Sequence, residues 1–267
     1  MRTIDLTSIA LGLVVAGSAL AHDLYIMPER FRVSVGETLT VALHNGDAFP
    51  ESENSAPLER LRDATLRSNT QAAPVQNLRV DGNRTLGSVP VPGSGALLLT
   101  VRTIPNFIEL EADKFVAYLK EEGLSEVLDW RTTHGETAKP GRERYSKYAK
   151  SLLSAGSANE FYQTATGQLL EIVPEKDPSR LKPGDALPVR VLFRGSPAPN
   201  LQIETSWAGP KGKAVRAAGR TDANGRITVP LAQAGKWRLH TIKMERCSDP
   251  KAADWESFWS SLTFELR

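Results

Sequence analysis

Apolar and polar residues alternate with a period of two over most of the chain, the mark of strands with one buried face. Leu24 and Ile26 alternate in Asp23–Met27 before Pro28 interrupts them, which predicts a first edge strand. Phe31–Val35 and Thr38–Leu43 repeat the pattern on either side of Gly36-Glu37 and predict a hairpin. Further strands are expected at Leu58–Ser68, Val75–Val80 and Gly95–Thr103, with Asp81-Gly82-Asn83 as a turn. The period changes after Glu109. Phe115, Tyr118 and Leu119 recur at helical spacing up to a stop at Gly123, and Val127, Leu128 and Trp130 mark a second helix from Ser125. Tyr145, Tyr148, Ala149 and Leu152 form one more stripe, which predicts a third helix over Arg142–Leu153 with Arg142, Arg144, Lys147 and Lys150 on a solvated face.

Pro174–Gly184, with Pro178 and Pro183 inside it, is expected to be a hinge. Alternating runs then return at Leu187–Phe193, Leu201–Trp207, Arg226–Leu231, Lys236–Ile242 and Phe258–Leu266, and Thr221–Arg226 is expected to be a structural hairpin turn. The fold class that follows is mainly β: two immunoglobulin-like β-sandwich modules with a helical insertion. An amino-terminal β-rich domain over 22–167 would hold the insert at about 109–155, and 168–267 would form the carboxy-terminal sandwich.

Residues 1–21 stand apart from this pattern. A short apolar run ends in Ala19-Leu20-Ala21, the small-residue spacing read by a signal peptidase, so cleavage after Ala21 and a periplasmic location are expected. Net charge is +2 with or without that segment, because it carries one Arg and one Asp, and no nucleic-acid footprint follows. The mature chain has no apolar run of the roughly 20 residues that span a bilayer. The single Cys247 cannot form an internal disulfide.

Processing after Ala21 would make His22 the first residue, and its α-amine and ring Nδ1 could then chelate one metal ion. Imidazole suits copper and nickel, which are the expected ions. His44 ends the strand expected beside His22, and His240 lies in the run Lys236–Ile242, so His22, His44 and His240 form the candidate metal site, with Asp23 as an outer partner. Met244 and Cys247 are soft donors near His240, whereas His134 falls in a connection between helices. Glu121-Glu122 falls on an exposed helix and suggests no acid–base dyad. The sequence holds no phosphate loop, nucleophile elbow or paired Cys motif, so binding is expected over catalysis.

The opening His22–Pro28, the helix-like stretch Glu143–Lys150, Gly195-Ser196-Pro197, Arg220–Arg226, Ala234–Trp237 and the closing Ser261–Phe264 together resemble a bacterial periplasmic family of unassigned function. That family is similar to the soluble, substrate-specific part of nickel-uptake transporters. The resemblance implies an immunoglobulin-like fold and a role in metal uptake, delivery or homeostasis, with a membrane transporter or envelope protein as partner. Two other functions remain open: a noncatalytic envelope or adhesion module, and a copper oxidoreductase that uses the terminal histidine chelate.

Overall fold

The computed structural model describes residues 22–267, and the expected signal peptide at 1–21 lies outside the described residues. The fold is mainly β, two β-sandwich modules with a helical insertion. Both modules share one ten-stranded central sheet. Its main path runs Gly212–Arg220, Gln202–Gly209, Gly235–Arg246, Trp255–Leu266, Gly141–Ala155, Gly95–Thr103, Leu61–Arg67, Ala72–Pro74. The two middle strands of this path, Gly141–Ala155 and Trp255–Leu266, pair in parallel from Glu143↔Trp255 to Ser151↔Thr263. The sheet is therefore continuous across the boundary expected near residue 167.

Alternation along the shared strands sends their two faces to different cores. Ala96, Leu98, Tyr148, Leu152, Leu239, Phe258 and Leu262 pack with Ile172, Leu187, Val189 and Val229 of the smaller sheet, Leu170–Pro174, Ala186–Phe193 and Arg226–Pro230. Leu97, Leu99, Val101, Ala149 and Leu153 face the other way, against Leu24, Ile26, Leu39, Val41 and Val89 of the amino-terminal sheet. That sheet runs Leu24–Pro28, Thr38–Asn45, Arg84–Pro90, Gln76–Asp81. Helices α1 (Ala112–Glu121) and α2 (Ser125–Thr133) cover the rest of the second face, with Phe115, Tyr118, Leu119 and Val127 on Ile242, Met244, Trp255 and Trp259. Both helices match the helical spacing of the sequence.

The third expected helix is a strand. Gly141–Ala155 is fifteen residues long and almost wholly buried. The stripe read at helical spacing divides between its faces, with Tyr145 and Ala149 on one side and Tyr148 and Leu152 on the other. Its lysines do not reach solvent: Lys147 is 6% and Lys150 1% exposed. Lys150 pairs with the equally buried Glu171 of Leu170–Pro174, which links the two modules through a charge pair. Long-range pairing and specific partners for the charges override the local pattern here, as a central strand closed on both faces permits.

Two turns also differ from expectation. Phe31–Val35 does not pair with Thr38–Asn45; instead Arg32-Val33 adds in parallel to Ser154-Ala155. The Thr221–Arg226 turn carries the chain between sheets rather than closing a hairpin, since Gly212–Arg220 pairs with Gln202–Gly209 and Arg226–Pro230 with Ala186–Phe193. Asp222 Oδ1 accepts from the backbone N–H of Asn224 and Arg226, each at 2.8 Å. Gly225 turns at φ +70°, where a Cβ would lie 2.6 Å from the Val191 carbonyl.

The first strand is an edge strand, as its pattern suggests, yet all five of its residues are buried. Its free carbonyls are taken by hydroxyls of the central sheet: Ser261 Oγ donates to Leu24 O at 2.7 Å and Thr263 Oγ1 to Ile26 O at 2.6 Å. This crossing fixes the position of residues 22 and 23.

Candidate metal centre and the buried charges beneath it

Leu24–Pro28 runs antiparallel to Thr38–Asn45, with Leu24 opposite Asn45 and Tyr25 opposite His44. The chain then turns, and Gly46 N–H donates to Asp23 O at 3.0 Å. The loop brings two carboxylates to His22. Asp47 Oδ2 lies 3.0 Å and Glu53 Oε2 3.5 Å from His22 Nδ1. Each carboxylate is held through its other oxygen: Asp47 Oδ1 accepts from Asp23 N–H at 3.2 Å, and Glu53 Oε1 accepts from Asp47 N–H and Ala48 N–H at 3.0 and 3.1 Å. From below, Lys147 Nζ donates to the His22 carbonyl and, at 3.0 Å, to Asn45 Oδ1. Burial pushes the Lys147 ammonium down to about 8.

Ligand atoms of His22, Asp47 and Glu53 all fall within 4.8 Å of one another. One imidazole nitrogen and two carboxylates held by backbone N–H groups are a donor set that a borderline divalent ion accepts. An α-amine would add a fourth donor if the chain begins at His22.

The residue after His22 faces inward. Asp23 is 5% exposed, and its carboxylate receives Arg238 Nη1 at 2.7 Å and His240 Nδ1 at 3.0 Å. Arg238 also donates to Glu204 at 3.1 Å and Ser206 Oγ at 2.9 Å, and its guanidinium lies over the rings of Tyr25 and Phe49. On its far side His240 Nε2 meets Glu122, at the end of α1, at 3.4 Å. Burial alone would lower the His240 pKa, but the charges of Asp23 and Glu122 outweigh it and raise the group to about 9. His240 is thus a cation at neutral pH. Nearby, Glu143 is buried among Ser257, Tyr118 and Trp259, and burial pushes its carboxyl up to about 7 although Ser257 and Tyr118 donate to it.

The three histidines singled out by sequence therefore have three different sets of neighbours. His44 shares the Tyr25 face, 5.3 Å between ring centroids, and its Nδ1–H donates to Pro50 O at 3.0 Å; burial lowers its pKa. Leu24 and Ile26 occupy the opposite face of the first strand, so the two-residue period carries His22 away from His44. His240 contacts Asp23 and Glu122, and His22 contacts Asp47 and Glu53. Asp23, expected as an outer metal partner, is the inner anchor of Arg238 and His240. Met244 packs under the helices, Cys247 is buried, and His134 stacks on Trp130 at 3.9 Å.

Asp47 and Glu53 were not among the residues singled out; their only sequence signal is a polar loop directly after the strand that ends at His44. Glu122, expected on an exposed helix, belongs to the charged chain because α1 ends against the central sheet. Glu204 and Arg238 lie in alternating strands whose inward face is polar at this point, which a hydrophobic pattern does not reveal.

The model of a domain of unknown function, DUF4198, matches residues 19–245. The chain belongs to the DUF4198 family. No curated protein matches it. Among solved structures it is similar to the Escherichia coli adhesin FdeC (15% identity, 93% of this chain and 65% of that one, TM-score 0.26). It is also similar to the Yersinia pseudotuberculosis adhesin InvE (14% identity, 90% and 58%, TM-score 0.21) and to the D0-D1 domain of intimin (11% identity, 92% and 99%, TM-score 0.24). The chain spans less than two thirds of the first two. At such low identity and superposition these likenesses say nothing about function. Among the described residues no helix is long and apolar enough to cross a membrane.

Proposed function

We propose that this DUF4198 protein is a noncatalytic envelope module, exported to the periplasm. The observation that carries this reading is the employment of its buried charges. Asp23, Arg238, His240 and Glu122 tie the first strand, the central sheet and α1 together, and Lys150 with Glu171 ties the two modules. A general acid or base must come within hydrogen-bond reach of a substrate proton. His240 and Glu143 are 3% and 1% exposed, and the grooves of about 360 and 340 Å³ are lined by neither. Oxygen uptake by the copper-loaded protein with a reductant tests this against the oxidoreductase alternative. Uptake no faster than that of the same copper in buffer is expected, and protein-dependent turnover overturns the reading.

The cluster of His22, Asp47 and Glu53 favours a second role within the same module: holding copper or nickel for uptake, delivery or homeostasis, with a transporter or envelope protein as recipient. This is the role that the family resemblance implies. The donor set in this version is His22 with two carboxylates, while His44 and His240 keep their structural partners. Calorimetric titration of divalent copper and nickel into protein shown by intact mass to start at His22 tests it. His22→Ala and Asp47→Asn should each weaken binding about tenfold or more, as losing a metal-orienting group does, while His44→Gln should not. Protons compete for these ligands, so affinity should fall toward about pH 5. Equal affinity in all variants removes this role and leaves the envelope module.

A further inference from the structure

A second polar surface lies where Leu61–Arg67 and Gly95–Thr103 meet residues 166–169, the approach to Leu170–Pro174. Asp63, Arg67, Arg102, Tyr148, Gln168 and Leu169 line an open groove there of about 340 Å³. Arg67 is half-buried, and its Nη1 donates to Thr100 Oγ1 at 2.6 Å. No carboxylate among the described residues lies within ion-pair distance of it, so most of its donor fork is uncommitted. At the lip Arg102 pairs with Asp63, both about half exposed. Asp63 sits at a break in strand register with φ 56°, a left-handed conformation uncommon outside glycine, which turns the residue out of the ladder.

Gln168 completes the wall. Its Nε2 donates to Val101 O at 3.3 Å and Ala149 O at 3.2 Å, which holds residues 166–169 against the central sheet, and its Oε1 is buried. Leu169 is 41% exposed beside it.

Each feature asks for a chemical group. Two guanidiniums, one of them unpaired, suit a planar carboxylate bound through its two oxygens. An exposed aspartate suits hydroxyl groups. An exposed leucine suits the C–H face of a ring, and the volume lies within the range of small-ligand sites. We propose that this groove binds an acidic saccharide, with a uronate carboxylate on Arg67 and Arg102, sugar hydroxyls on Asp63, and a pyranose face against Leu169. The groove shares no residue with the His22 cluster, so the proposal is independent of metal binding.

Calorimetric titration of the exported chain with trisaccharides of galacturonate and of mannuronate provides the test, with maltotriose and inorganic phosphate as controls. Saturable binding of at least one uronate trisaccharide and none of maltotriose is expected. Arg67→Gln should weaken that binding about tenfold or more, as losing a charge-assisted hydrogen bond does. Because Arg67 also holds Thr100, the exposed Arg102→Gln serves as a second variant and should weaken binding several-fold. The proposal is overturned by no saturable binding of either uronate, by equal binding in both variants, or by phosphate competing as well as the uronate does.

Discussion

Replacing His240 by Gln isolates the charge at the centre of the buried network. The folded protein raises this group from the ordinary 6.5 to about 9, because Asp23 and Glu122 hold the imidazolium more strongly than burial opposes it. A cation whose pKa is higher folded than unfolded adds stability that is complete below the unfolded value and is lost as pH rises through the folded one. The window is therefore about 6.5 to 9. At 1.36 kcal/mol per unit the difference of 2.5 units amounts to about 3 kcal/mol as an upper bound. Urea unfolding of wild type and His240→Gln at a series of pH values gives the stability difference between them. That difference should be largest near pH 6 and shrink by up to about 3 kcal/mol by pH 9.5. Glu143 and Lys147 also titrate in or near this range, but they are present in both proteins and largely cancel from the difference. A difference that stays flat within about 1 kcal/mol, the scale of extrapolation error, refutes the imidazolium.

Glu143→Gln should act in the opposite sense. The buried carboxyl rises from 4.5 to about 7, so its ionisation opposes folding increasingly from pH 4.5 through 7, and the variant should be more stable above pH 7 by up to about 3 kcal/mol in urea unfolding. Lys150→Met leaves Glu171 as an unpaired charge at 1% exposure and should cost about 3–5 kcal/mol in the same assay. Gly141→Ala drives a Cβ to 2.2 Å from the Phe115 ring, so it should lower the melting temperature and loosen α1, read as faster hydrogen exchange over Ala112–Glu121.

The elements that the sequence determines are those whose pattern is local and one-sided. The period of two marks Thr38–Asn45, Ala186–Phe193, Gly235–Arg246 and their neighbours as strands, and the spacing of Phe115, Tyr118 and Leu119 marks α1. Antiparallel pairing of the first strand with Thr38–Asn45 brings His22 to the Asp47 loop, whereas the turn at Gly36-Glu37 suggests a hairpin that the fold does not form. Tertiary structure alone decides what happens where both faces are covered. In Gly141–Ala155 tyrosines, alanine and lysines are all buried, so no binary pattern separates strand from amphipathic helix. The choice comes from parallel pairing with Trp255–Leu266, more than a hundred residues away, and from Glu171, which makes a buried Lys150 tolerable. The same physics separates the histidines. Sequence names the imidazoles, but whether one meets a carboxylate, a carbonyl or another imidazole depends on which strand crosses it, and only the crossing of Leu24–Pro28 over the central sheet gives Asp23 to His240 and leaves His22 to Asp47 and Glu53.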